Sequence, residues 1–229
     1  MNVNTTKISL STDELHALNE RYVLLTPQQR VAQLYLDFDP EEIMLTSSFA
    51  ATSALLLKLF SEENKMQKVH FIDTGYHFAE TLVYKAYLTQ LYDLNVEDVK
   101  AEALKHAFTT KDKTWTKDPD YCCSINKVEP LHELKKNYSV WVSGLMSWQS
   151  DHRSSLNIFE ERQGILKFYP LLDISREARD AFITDHHLPF HPLVSKGYYS
   201  IGCTHCTVPG ADRDGRWNNS PKTECGLHL

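Results

Sequence analysis

The chain has 229 residues, 24% of them charged and 42% hydrophobic, with 24 basic against 30 acidic side chains and a net charge of −6. That composition excludes disordered and collagen-like classes, and at roughly 150 residues per domain it predicts one large domain or one domain with a tail. An acidic surface repels a polyphosphate backbone, no apolar run approaches the roughly 20 residues that span a bilayer, and the polar start Met1-Asn2-Val3-Asn4-Thr5-Thr6 lacks a signal-like apolar core, so a soluble cytoplasmic protein is expected.

Residues 1–40 are expected to form a helical segment. Ser11-Thr12-Asp13-Glu14 carries the capping chemistry of a helix start, and Thr26-Pro27 puts proline at a first helical position. From Ile43 short apolar runs alternate with longer helical stretches. Ile43–Thr46 reads as a strand and Ala50–Phe60 as a helix. Val69–Ile72 reads as a second strand, ended by Asp73-Thr74-Gly75, and Phe78–Leu91 as a second helix. Strands are also expected at Asn95–Lys100 and Ser139–Val142. Such alternation implies an α/β fold with a doubly wound parallel sheet over residues 41–190. A further helix starts near Ser175, with His186-His187 at its end as capping residues. Trp115, Trp141 and Trp148 are read as packing residues.

Ligands of such sheets bind outside the carboxyl ends of the strands. The loops placed there are Thr46-Ser47-Ser48-Phe49, with hydroxyls and free N–H groups suited to an anion, and Asp73-Thr74-Gly75-Tyr76-His77. Each also has a plain reading, as a helix cap and as a turn with an Asx bond.

The five cysteines are clustered: Cys122-Cys123, Cys203-x-x-Cys206 and Cys225 alone. Adjacent cysteines strain a disulfide, and the odd count does not suit a disulfide framework. Two pairs and a singleton read as four metal ligands and one working thiol, with an iron–sulfur cluster and structural zinc both open. Gly197, Gly202, Gly210, Gly215 and Gly226 and three of the five cysteines lie beyond residue 196, together with Arg213-Asp214-Gly215-Arg216-Trp217. Residues 191–229 therefore read as a loop-rich, mobile part of an active site.

Gly202-Cys203-Thr204-His205-Cys206-Thr207, Asp212 to Trp217 and Lys222-Thr223-Glu224-Cys225-Gly226-Leu227-His228 resemble the C-terminal half of assimilatory sulfonucleotide reductases. Cys122-Cys123-Ser124-Ile125-Asn126-Lys127-Val128 and Phe71-Ile72-Asp73-Thr74-Gly75-Tyr76-His77-Phe78 resemble their middle motifs, and the double cysteine pair resembles the iron–sulfur branch, whose usual member reduces adenosine 5′-phosphosulfate (APS). The resemblance implies an adenine-nucleotide α-hydrolase-like fold, a [4Fe–4S] cluster on Cys122, Cys123, Cys203 and Cys206, and Cys225 as nucleophile. It implies phosphosulfate contacts at Lys127, Arg213, Arg216 and His228, and nucleotide contacts at Ser47, Ser48, Asp73, Thr74 and Gly75. Attack by the Cys225 thiolate would expel AMP and leave an S-sulfocysteine, from which thioredoxin or glutaredoxin would release sulfite, within sulfate assimilation and cysteine biosynthesis. Relatives are commonly homo-oligomers.

Two departures bear on substrate choice. Many relatives carry Gly-Leu-Arg-Arg-x-Gln-Ser where this chain has Gly144-Leu145-Met146-Ser147-Trp148-Gln149-Ser150, with Arg153 placed to compensate; Asn126 also replaces a common arginine. The loop Ser47–Ser53 lacks the acidic residues of APS-specific members, which removes a repulsion against the 3′-phosphate of the phosphorylated analogue PAPS. The four paired cysteines are weighed above this, so APS is expected, with PAPS or dual use as the alternative. An ATP-activating, tRNA-thiolating relative would need Ser-Gly-Gly-x-Asp-Ser after the first strand, which Ser47-Ser48-Phe49-Ala50 does not supply. A cluster-based redox sensor without reductase activity is the non-enzymatic rival.

Overall fold

The computed structural model describes residues 8–211, 213–217, 222, 224, 226 and 227. Alternate residues of the central strands face opposite helix layers. The strands are β1 (Ile43–Thr46), β2 (Lys68–Asp73), β3 (Asn95–Lys100), β4 (Val140–Val142), β5 (Phe159–Arg162) and β6 (Ile165–Phe168), in the sheet order β3-β2-β1-β4-β6-β5. All neighbours are parallel except β5 and β6, an antiparallel hairpin at one edge. The doubly wound sheet is as expected, and the hairpin is an addition to it. Ile43, Leu45, Val69, Phe71, Val140, Val142, Leu166 and Phe168 point into the main core, while Met44, Trp141 and Ile165 meet Leu131 on the opposite face.

The N-terminal helices are α1 (Thr12–Val23) and α2 (Pro27–Asp37), each opened by a capping box, Ser11 with Glu14 and Thr26 with Gln29. Their anchor is Arg30, which is 1% exposed. Its guanidinium donates to the carbonyls of Tyr22 (2.9 Å) and Pro170 (3.1 Å) and to both Asp173 oxygens (2.5 and 2.6 Å). Helix α3 (Ser53–Glu63) is apolar and buried on nearly every side, and α4 (Ala79–Tyr92) follows β2. The helix expected from Ala50 thus begins at Ser53. The intervening chain turns at Phe49, whose φ is +47° and whose N–H bonds to Ser47 Oγ.

Between β3 and β4 the chain forms α5 (Ala103–Asp112), α6 (Thr114–Lys117), α7 (Pro119–Cys123), a π-helical turn at Ser124–Val128 and α8 (Glu129–Lys135). The remaining helices are α9 (Asp151–Ser154) and α10 (Arg176–Asp185), the latter capped by Ser175 and closed by His186. Among the described residues no helix is long and apolar enough to cross a membrane.

Chain order sets the position of the site. From β1 the chain moves outward to β2 and β3, then returns to β4 on the other side of β1. This reversal leaves a crevice at the carboxyl ends of β1 and β4.

Two buried histidines couple the fold to pH. Burial pulls His70 and His191 down to about 4. His191 Nδ1 accepts the Leu193 N–H at 3.1 Å and its Nε2 bonds Thr81 Oγ1 at 3.0 Å, an arrangement for the neutral ring. Unfolding lets both rings bind protons at the ordinary histidine value. Stability is therefore full above about pH 6.5 and is lost progressively as pH falls towards 4. Urea midpoints at about pH 7 and about pH 4.5 should differ, and His191→Asn should reduce the difference.

Candidate active site

A cavity opens at this crevice. Thr46, Ser47 and Ser48 line it from the end of β1, and Ser143 and Gly144 from the end of β4. Lys127, from the turn after the cysteine pair, forms another wall. Arg153, Arg213, Arg216 and Trp217 close the cavity together with Glu224 and Leu227. The described lining thus carries four cations and one carboxylate, although the whole chain is acidic. Such a concentration of positive charge between low-dielectric walls attracts anions.

The lining also contains donors without partners. Ser143 Oγ, Arg216 Nε and Trp217 Nε1 are buried and, among the described residues, make no hydrogen bond. Leaving such a group unpaired costs about 1–3 kcal/mol, so their placement around one cavity marks it as built for a polar ligand. The Arg216 guanidinium lies 4.3 Å from the Trp217 ring centre and packs on Gly202. A Cβ at Gly202 would lie 2.3 Å from Arg216 Nη2.

Beyond Lys127 the paired cysteines converge. Cys122, Cys123 and Cys203 are buried and Cys206 is partly so. Burial, then the neighbouring Cys123, Cys203 and Cys206, pushes the Cys122 thiol up to about 12. Burial and Cys203 raise Cys206 in the same way. Cys203 differs: burial raises its thiol, but Lys127, the Thr74 hydroxyl (3.4 Å) and Arg216 outweigh that and hold it below the ordinary value. Asn126 Nδ2 donates to Cys122 O at 2.9 Å and lies 3.7 Å from its Sγ, while Asn126 Oδ1 accepts from His106 Nδ1 at 2.8 Å. Four soft donors ringed by N–H and O–H groups suit a metal cluster. Among the described residues, no three His, Cys, Asp or Glu side chains are arranged to hold a single metal ion.

Comparison with known proteins places the chain in a family. Residues 42–209 match the phosphoadenosine phosphosulfate reductase domain. The chain belongs to that family. It is 34% identical to a phosphoadenosine 5′-phosphosulfate reductase of Gloeobacter violaceus over 93% of both chains. It is 37% identical to an adenosine 5′-phosphosulfate reductase of Rhodococcus opacus, over 76% of this chain and 74% of the relative. For an adenosine 5′-phosphosulfate reductase of a Chelativorans species the identity is 38%, over 83% and 80%. Among solved structures, the phosphate complex of PAPS reductase from Candida auris superposes with a TM-score of 0.78 at 27% identity, over 89% of this chain and all of that one. A Candida glabrata FMN adenylyltransferase, at 16% identity and a TM-score of 0.59, shares the fold alone. The chain is accordingly an oxidoreductase acting on a sulfur group.

Of the site residues expected from sequence, Ser47, Ser48, Lys127, Arg213 and Arg216 line the cavity, while Asp73, Thr74 and Gly75 do not. Asp73 accepts the Gly75 N–H at 2.9 Å and pairs with Lys100 at 3.3 Å, and Thr74 turns to Cys203. Cys225 and His228 lie outside the described residues. Arg153 does face the cavity, but it is bonded to Glu224 rather than left for a ligand. Of the tryptophans, Trp141 donates to Thr46 Oγ1 at 2.8 Å beside the cavity, Trp148 packs under Arg176 and Arg179, and Trp115 stacks on His205 at 4.0 Å. Trp217 and Ser143 escaped the sequence reading, because only the fold shows that their polar atoms are buried and unpaired.

Proposed function

We propose that the chain is a cytoplasmic APS reductase of sulfate assimilation and cysteine biosynthesis, reducing APS to sulfite and AMP with thioredoxin or glutaredoxin as donor. The observation that carries this reading is that Glu224 and Leu227, which bracket Cys225 in the sequence, line the same cation-rich cavity as Lys127, Arg213 and Arg216. Residues 41–190 would hold the nucleotide, and residues 191–229 would supply two cluster ligands and the nucleophile. The Cys225 thiolate attacks the sulfate sulfur, the bond from sulfur to the bridging phosphate oxygen breaks, and AMP leaves. A thiolate of the donor then attacks Cys225 Sγ and sulfite departs. The donor's second thiol resolves the mixed disulfide, so one dithiol is oxidised as sulfur gains two electrons. The arginines and Lys127 favour the thiolate and neutralise charge building on the leaving phosphate. His228 would add a further contact.

Cys122, Cys123, Cys203 and Cys206 would hold a [4Fe–4S] cluster, which supplies structure and a fixed charge beside Lys127. A cluster spreads its four ligands over separate irons, whereas one zinc ion would need thiolates about 2.3 Å from a single point. Iron and sulfide should be present in anaerobically purified protein, and Cys203→Ser should lose both. Gly202→Ala tests the cavity from another side. The added methyl displaces Arg216, so AMP affinity should fall about tenfold while folding changes little.

PAPS is the second reading, favoured by the absence of any acidic residue in Ser47–Ser53. Sulfite release from APS and from PAPS, with thioredoxin and its reductant, decides between them. Faster turnover of APS supports the main reading, and faster turnover of PAPS replaces it. No sulfite from either, with iron present, would favour the sensor.

A further inference from the structure

Glu224 is 5% exposed, yet its carboxylate is held by three side chains. Oε1 accepts from Arg153 Nε and Ser150 Oγ, both at 3.1 Å. Oε2 accepts from Arg153 Nη2 at 3.1 Å and Arg213 Nη2 at 3.0 Å. Arg153 therefore grips the carboxylate side-on with two prongs, and its remaining Nη1 donates to Gln149 Oε1. The Arg153 and Ser150 bonds span 71 and 74 residues of sequence and join the tail to the connection after β4.

We propose that Glu224 is a positioning residue for the nucleophile: clamped by Arg153, Arg213 and Ser150, its carboxylate pins the backbone one peptide from Cys225 to the cavity wall. The inference rests on the reading of Cys225 as nucleophile. Consecutive Cα atoms are about 3.8 Å apart, so holding residue 224 limits how far the next backbone position can stray. Confinement matters because a misplacement of about 1 Å can cost roughly 100-fold in rate. A charged clamp suits the task better than an apolar one, since the fork sets direction as well as distance. The same contacts admit a contrary role, in which Glu224 stands in for the substrate's anion and competes with it for the arginines. The two roles predict opposite kinetics.

The test uses the full-length, iron-loaded enzyme, with kcat and KM for sulfite release and the rate of Cys225 alkylation by iodoacetamide followed on its peptide. Glu224→Gln keeps the shape and removes the charge. It should lower kcat about 10- to 100-fold, leave KM within about twofold and change the alkylation rate at least about threefold. Glu224→Asp, which keeps the charge, should recover part of kcat. Wild-type kcat in Glu224→Gln, or a lowered KM with kcat unchanged, would overturn the clamp, the latter in favour of the competing anion. If Glu224→Gln does not fold, Ser150→Ala removes one bond and no charge; a smaller kcat loss at constant KM supports the clamp and an unchanged kcat rejects it. Cys225→Ser in the same assay separates the two levels. Activity in that variant would sink the nucleophile reading, whereas its inactivity beside fully active Glu224 variants would sink only the clamp.

Discussion

Replacing Cys225 with serine is expected to reduce sulfite formation by at least about three orders of magnitude while iron content stays at the wild-type level. The proposed step needs a soft, ionised nucleophile at sulfur. A cysteine thiol ionises far more readily than a serine hydroxyl, which does not ionise near neutral pH. The cavity would be otherwise intact, so AMP affinity should change little. Two measurements separate this outcome from a folding defect. Iron retention reports the proposed ligands Cys122, Cys123, Cys203 and Cys206 independently of residue 225. Intact mass after incubation with APS and no dithiol reports the intermediate. The wild-type chain should gain the mass of one SO3 group, and Cys225→Ser should not. Loss of iron together with activity would instead make Cys225 a structural residue. Adduct formation in the serine variant would move the nucleophile to another cysteine.

The convergence of the two cysteine pairs was legible because residues that share one chemical task are often found in short, repeated spacings. The strands β1, β2 and β4 were legible from short, largely apolar buried runs, as buried parallel strands require, whereas β3 is mostly exposed and offers only Val96 and Val99 among polar residues. Phe159-Glu160-Glu161-Arg162 escaped, since a charged edge strand reads as loop until its partner is known. Ile165–Phe168 was hidden by Lys167, which is 1% exposed; burial pulls it down to about 8. The clamp on Glu224 could not be read at all. Arg153 and Glu224 are 71 residues apart, and no local pattern announces a pair that only the tertiary fold creates. The orientation of the loop Asp73-Thr74-Gly75, which does not line the cavity, was hidden for a different reason. An Asp-x-Gly turn satisfies its own hydrogen bonds, and the sequence does not say which way the remaining groups face.

Arg30→Met is expected to produce the largest loss of stability. The methionine fills much of the same volume, so a cavity is not the main cost. What is lost is a buried donor set. The Pro170 carbonyl loses its Arg30 donor in the interior, the Tyr22 carbonyl is left with the Leu25 N–H at 3.1 Å, and Asp173 loses the cation to which both its oxygens are bonded. Bonds to a charged group contribute about 1.5–3 kcal/mol, and the interior Pro170 carbonyl, left without its Arg30 donor, adds to that. Because the Asp173 side chain is 49% exposed, water recovers part of the loss on that side. A net destabilisation of about 3 kcal/mol follows, equivalent to roughly 6–12 °C in Tm for a chain of this size. The same contact gives a sign to the acid response. Burial raises the Asp173 carboxyl, but Arg30 outweighs it and holds the group below the ordinary carboxylate value. Its contribution is thus present above about pH 4 and lost as pH falls further, below the window in which His70 and His191 act. Thermal melts of Arg30→Met and Asp173→Asn across that range are the check. Both variants should lose the low-pH part of the stability curve and keep the part between pH 6.5 and 4. A Tm within about 2 °C of wild type for Arg30→Met would mean that the helical segment is held by its apolar contacts with Tyr22, Val31 and Leu34 alone.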